Sequence, residues 1–574
     1  MKPLIVFLLV LSQVAASQPT YGKVSGTIES SEVVLKWTTS YEDQTIRFSV
    51  WMTGPGLRWM AIGFSDHGKF NNSDFCLFRN GKLRDYYTDN DFILHQDMNQ
   101  DCELISFGRP LSENVINSEV PRRVFEFRRR FSTCDPRDYA FEPGTTQFIF
   151  TGGNVFSKNL NDAKKSLHFG QVINGDSEIP KMEVDRSQFR VLADQALIPG
   201  VVTSYWCTVK KVPEYVQSRK HHVIMMNSVV QPENKHIVHH MVIYACQTND
   251  QTEFSLNCND PFKPKSSSTC SRVVGAWSMG EGSVSYPPEA GLPIGGSQGS
   301  SYLMVEIHYN NVEKVTGVRD SSGFQFVVTP QLRLFDAGIM ELGLIYSDAN
   351  SIPPQQDAFP ITGYCVEDCT KKLPTEGIQV FASQLHAHLT GRKLWTSHYR
   401  NGVKVGELNR DNHYSPHWQH VQQVRPYVHV KQGDVLATTC VYETRDRSSM
   451  TLGGYGIEDE MCVNYIYYFP VSEIEVCKSA VDNSSLHSYF AHKHKIQNVE
   501  LPIHLKYNSI DWTEEKSLSL KELYSSAPLN MHCLQHDGTL FSGHNWSSIP
   551  VPRINAGPFV KMRDVYECPS LNDY

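Results

Sequence analysis

Residues 381–392, FASQLHAHLTGR, place His386 and His388 two apart in a stretch of strand-like composition. Alternate residues of a strand project to one face, so the two imidazoles would stand side by side as a metal clamp does. Two other stretches carry histidines that could join them: HIVHHMVIYAC, with His239 and His240, and VEIHYNN, with His308. On a regular strand His239 and His240 face opposite ways, so they reach one ion only where the strand bulges or ends, or where the rings coordinate through different nitrogens. SRKHHVIMM offers a competing pair, His221 and His222, and spacing alone does not choose between the pairs. Met461, in EDEMCVNY, reads by itself as core packing, the commonest fate of methionine.

The elements that must position these groups are strands. EVVLKWTT, TIRFSVWMT, RWMAIGFS, TQFIFTGG, HHVIMMNSVV, SYLMVEIHYN and NYIYYFPV are rich in β-branched and aromatic residues, with turn residues between them. That pattern predicts an all-β chain of sandwiches rather than βαβ units. One helix is expected, over 511–527, with Asp511 as its cap. With 574 residues the chain exceeds one core. Strand-rich blocks run over 30–150, 200–325 and 335–490, followed by a looser stretch over 491–574.

The net charge of −8 and the lack of a long basic run argue against nucleic acid as a partner. Residues 1–17 combine Lys2, an apolar run and small residues, the pattern of a cleaved secretory signal, and no later segment has the length of a membrane span. The expected compartment is therefore the lumen of the secretory pathway or the cell exterior. Fourteen cysteines fit such an oxidising setting and predict disulfides. Asn71, Asn483 and Asn545 head N-x-S sequons and are candidate glycan sites.

VHHMVIYAC, EIHYNN, SQLHAHLTGRK, DNHYSPHWQ and GGYGIEDEMCVNY, in this order, resemble the copper type II, ascorbate-dependent monooxygenases, on the dopamine β-hydroxylase-like side of that family. GFSDHGKFNNSDF and STCDPRDYAFEPGTTQFIFTGG resemble the family's N-terminal DOMON domain. The resemblance implies a DOMON β-sandwich followed by two antiparallel, jelly-roll-like copper domains facing each other across an open, solvent-filled cleft. It implies His239, His240 and His308 as ligands of a first copper that takes electrons from ascorbate. It implies His386, His388 and Met461 as ligands of a second, where O₂ reacts with substrate. A soft thioether beside imidazoles suits Cu(I) better than zinc or calcium. Tyr205 matches a tyrosine that the family places in the active site beside the oxygen-site histidine, here His386. His221 and His222 fall outside the ligand positions.

By the same likeness the pairs Cys207–Cys258, Cys246–Cys270, Cys365–Cys477, Cys369–Cys533, Cys440–Cys462 and Cys134–Cys568 are expected, the last tying the DOMON domain to the C-terminus. Cys76 and Cys102 are left as a further candidate pair. No cysteine pair stands where dopamine β-hydroxylase carries its intersubunit bridges, which argues against a disulfide-linked dimer and leaves a noncovalent homo-oligomer open. Peptide-amidating relatives place an arginine two residues before the H-x-H; Gln384 stands there, which argues for a small phenylethylamine-like substrate, with Glu341 as a candidate partner for its ammonium. The alternative is an inactive ligand-binding protein on the same scaffold, against which the six kept ligand positions weigh.

Overall fold

The computed structural model describes residues 20–54, 56–108, 122–173, 185–278, 283–297 and 299–555. The signal segment over 1–17 and Cys568 therefore lie outside the described residues. The chain forms two compact units, 1–179 with 560–574, and 180–559.

The first unit packs a five-stranded sheet against a six-stranded one. Strand Ser31–Ser40 alternates inward and outward, placing Val33, Leu35 and Trp37 in the core. Strand Trp59–Ser65 is buried along its whole length because both its faces are covered. Met60, Ile62 and Phe64 enter the inter-sheet core, while Trp59 and Ala61 join a second cluster with Phe70 and Phe75. A charged cluster lies inside: Arg129, fully buried, pairs with buried Asp74 and with buried Asp138 at 3.2 Å.

The second unit holds two sandwiches. In the first, strands Phe254–Asn257, Thr203–Lys211, Tyr302–Asn310, Val238–Cys246 and Cys270–Ser278 form one sheet in that order. Its inner face sends Met241, Ile243, Val305 and Ile307 into a core shared with Phe324, Phe326 and Val328 of the facing sheet. In the second sandwich the central sheet runs Gln422–Val430, Ile378–His386, Val463–Phe469, Gly338–Leu344, Ile474–Val481 and Leu529–Gln535. Ile339, Phe381, Ala382, Tyr467 and Phe469 of this sheet pack into the first sandwich's core, so the two sandwiches are joined by continuous apolar contact. Leu529–Gln535 is a full member of the sheet, antiparallel to Ile474–Val481, and so part of the second sandwich rather than an appendage.

Helices cluster near the C-terminus. Glu514–Ser526 is capped by Thr513, whose hydroxyl accepts the Lys516 N–H, and not by Asp511 as expected. Thr513 lies two residues closer to the apolar residues Leu520 and Tyr524 that seat the helix. A second helix, Asn483–His494, was not expected from the sequence. Asp482 caps it, and only Leu486, Tyr489 and Phe490 form its buried stripe.

Six disulfides form among the described residues: Cys76–Cys102, Cys207–Cys258, Cys246–Cys270, Cys365–Cys477, Cys369–Cys533 and Cys440–Cys462. Asn483 and Asn545 are exposed and Asn71 is half-buried. Among the described residues no helix is long and apolar enough to cross a membrane.

Candidate metal centres

The first histidine set is built by a bulge. Strand Val238–Cys246 pairs with Tyr302–Asn310, and the register shifts between Val238 and His240, where His239 is the extra residue. His240 lies directly opposite His308, and the bulge turns His239 to the same side. His239 Nδ1 stands 3.0 Å, and His308 Nδ1 3.3 Å, from His240 Nδ1. One ligand atom of each of the three lies within 4.8 Å of those of the others.

Three ring nitrogens aimed at one another cannot all be satisfied by hydrogen bonds among themselves, and His308 Nε2 is buried with no partner. Burial, together with the neighbouring imidazoles, pushes His239 down to about 4 and His308 down to about 3, and holds His240 well below its usual range. All three are neutral at pH 7, the state that ligates a cation. This donor set fits a copper ion.

Tyr205 belongs to this first set. The resemblance puts it beside His386; the strand register puts it opposite His308, with the two rings stacked 4.5 Å apart at 9°. The correction follows from pairing: Thr203–Lys211 is hydrogen-bonded to Tyr302–Asn310, so its side chains on that face line the first set.

The second set ends a strand. His386 is the last residue of Ile378–His386 and pairs with Val463. Continuing that antiparallel register by two residues brings His388 opposite Met461. The imidazoles of His386 and His388 are 5.2 Å apart and nearly perpendicular. Each has its Nδ1 engaged, His386 with Gln419 Oε1 at 2.6 Å and His388 with the Asp459 carbonyl at 2.9 Å. Both contacts select the tautomer with hydrogen on Nδ1, leaving the Nε2 lone pair free for a metal ion. Burial and the neighbouring His388 push His386 down to about 3.

Glu460, buried beside Met461, ties the two ligand segments together. Its carboxylate accepts the N–H of His388 at 2.9 Å, the N–H and hydroxyl of Thr390 at 2.6 and 2.7 Å, and the N–H of Met461 at 3.3 Å. The Tyr442 hydroxyl donates to the Met461 carbonyl and the Cys440–Cys462 bond holds the next residue. On the other side the loop 412–420 is braced by Tyr414, whose hydroxyl donates to Ala387 O and accepts Ala387 N–H. Gln384 donates to Gln419 O at 2.8 Å, so its amide is committed to holding that loop.

The two sets sense each other. His388 acts electrostatically on His239, His240 and His308, and His386 acts on His240. His239, His308 and His388 are all buried.

Glu341 sits behind the second set with its carboxylate on the buried Lys478 ammonium and on the Tyr346 hydroxyl at 3.3 Å. His222 is structural: its Nε2 meets Asp336 at 2.8 Å and its Nδ1 accepts the Arg333 N–H. His221 is likewise buried, with Nδ1 on the Arg219 carbonyl. Sequence reading missed Glu460, Gln419 and Tyr414. Their partners are backbone groups or side chains 27 to 72 residues away, and the available signals were the adjacency of Glu460 to Met461 and the place of Tyr414 and Gln419 within DNHYSPHWQ.

A strand-rich chain with two histidine sets on separate sandwiches, the first converging within 4.8 Å, has the composition of a metalloprotein. The chain belongs to the copper type II ascorbate-dependent monooxygenases: the family's N-terminal domain matches residues 189–316 and its C-terminal domain 335–490, and a DOMON domain matches 29–153. It is 45% identical to the tyramine beta-hydroxylase of Caenorhabditis briggsae over 96% of either chain. It is 38% identical to the dopamine beta-hydroxylase of Bos taurus, over 92% of this chain and 87% of that one. With the DBH-like monooxygenase protein 1 of Gallus gallus it shares 30%, over 86% and 83%. The protein is an enzyme, a monooxygenase using copper, ascorbate and O₂.

Proposed function

We propose that this chain hydroxylates the side-chain carbon next to the ring of a phenylethylamine-type substrate, in the lumen of the secretory pathway or outside the cell. The overall change is R–H + O₂ + 2 e⁻ + 2 H⁺ → R–OH + H₂O, with ascorbate as electron source. His239, His240 and His308 would hold one copper and His386, His388 and Met461 the other. When bound, these ions supply one-electron chemistry and O₂ activation. The protein's own residues do the rest. Gln419 and Asp459 fix the two second-set imidazoles in one tautomer, Glu460 sets their distance from Met461, and Tyr205 holds the His308 ring by stacking. Gln384, held by the 412–420 loop, offers no cation for a peptide carboxylate, which favours an amine over a glycine-extended peptide.

The observation that carries this reading is the pair of histidine sets on separate sandwiches, the first with one ligand atom of each imidazole within 4.8 Å of the others and the second with its two rings 5.2 Å apart. Copper-loaded protein with ascorbate and ¹⁸O₂ is expected to place one ¹⁸O on tyramine or dopamine and none on a glycine-extended peptide. Amine binding without ascorbate consumption would support the inactive binding-protein reading instead.

A further inference from the structure

We propose that Glu306 receives the substrate's ammonium group, an assignment that rests on the amine-hydroxylating reading above. Glu306 lies on strand Tyr302–Asn310, two residues before His308 and therefore on the same face of the sheet. Its cross-strand neighbours on that face are Cys207 and Val242. The carboxylate is half-buried, yet among the described residues it has no hydrogen-bond donor and no ion-pair partner. Its nearest polar contact is Cys207 Sγ at 3.8 Å, and that sulfur is bonded to Cys258, so it has no proton to give. The disulfide also removes Cys207 and Cys258 as thiolate ligands, which excludes a metal site at this cluster. The cation that acts on Glu306, Lys263, stands beyond ion-pair distance.

Every other carboxylate around the two sets is engaged. Glu341 has Lys478 and Tyr346, and Glu460 has four donors. A carboxylate partly withdrawn from water costs free energy until a partner supplies positive charge and N–H groups. An alkylammonium supplies both.

The surroundings of Glu306 match the rest of such a ligand. Tyr205 and Tyr244 are diagonal neighbours of Glu306 on the two flanking strands and share its face. The same sheet meets the second sandwich two strands from Glu306, where the Val273 N–H donates to Glu475 Oε1 at 3.1 Å. A carboxylate flanked by two tyrosines on the face that carries the first histidine set is a composition that recognises an arylalkylammonium.

The test compares tyramine with 4-ethylphenol, which keeps the ring and the reacting carbon and lacks the charge. In Glu306→Gln the ratio of kcat/KM for tyramine over 4-ethylphenol is expected to fall by about 30-fold or more, as when one partner of a buried charge pair is removed. Glu306→Asp, which keeps the charge, is expected to restore most of the ratio, and copper content is measured in every variant. An equal loss on both compounds, or a ratio that collapses in Glu341→Gln and not in Glu306→Gln, overturns the assignment while the amine reading stands. No tyramine turnover by the unmodified chain overturns both.

Discussion

The Glu460 carboxylate accepts the backbone N–H of His388 at 2.9 Å and that of Met461, its own neighbour, at 3.3 Å, so one buried group sets the spacing between the two ends of the second ligand set. Glu460→Gln keeps the shape but turns an N–H₂ toward donors that need an acceptor. Copper bound at the second set is expected to weaken by about 10- to 100-fold, the usual effect of losing a residue that orients ligands. X-ray absorption should show the copper–sulfur scattering lost while the histidine-only centre stays loaded. Full copper–sulfur scattering in this variant would remove Glu460 from the site's construction.

Tyr205 and His308 make a second such relationship, ring on ring at 4.5 Å. Tyr205→Phe retains the stack and Tyr205→Ala removes it. If stacking is the contribution, the Phe variant keeps copper at the first set and the Ala variant loses affinity there by roughly 10-fold, as other ligand-orienting contacts do. A Phe variant as impaired as the Ala variant would move the role to the hydroxyl.

Much of this was legible in the sequence, and most of the unread part depends on long-range pairing. Alternation in Ser31–Ser40 and in the H-x-H strand is local, so strands and the same-side placement of His386 and His388 could be read from spacing. The bulge at His239 could be stated only as a condition, because it depends on pairing with Tyr302–Asn310, some 60 residues on. Tyr205 went to the wrong set for the same reason: the register that places it opposite His308 is tertiary. Helix Asn483–His494 was missed because most of its residues are polar and its three apolar contacts are too few to mark a period. Glu341 could be named as a carboxylate of interest, but its pairing with Lys478 is a contact across 137 residues.

The first unit should respond to pH in a direction set by Asp85. Burial, with Asp74 beside it, raises the Asp85 carboxyl to about 8, while the Arg129 guanidinium opposes the shift. A carboxyl whose folded value lies above its unfolded value near 4 binds its proton more tightly when folded. Its contribution is therefore complete below about pH 4 and is lost as pH rises through about 8, at up to about 1.4 kcal/mol per pH unit. Hydrogen exchange in strand Trp59–Ser65 should quicken across that window, and Asp85→Asn should flatten the dependence. A steeper dependence in the Asn variant would reverse the sign assigned here.

Met461 is the position at which sulfur chemistry can be separated from fold. Its backbone is held from three sides, by Glu460 on its N–H, by Tyr442 on its carbonyl and by the Cys440–Cys462 bond at the next residue. The side chain can therefore change while the segment stays in place. Met461→His supplies a third imidazole and removes the soft thioether that favours Cu(I). Folding and a copper content of about two per chain are expected to persist. Amine hydroxylation is expected to fall by about 100-fold or more, on the scale of a lost ligand or orienting group. Reduction of the bound copper by ascorbate, followed optically in a stopped-flow instrument without O₂, should continue at the centre held by His239, His240 and His308. Wild-type turnover in this variant would mean that sulfur has no part in the reaction, and the second set would then have to be rebuilt from His386, His388 and a donor other than Met461.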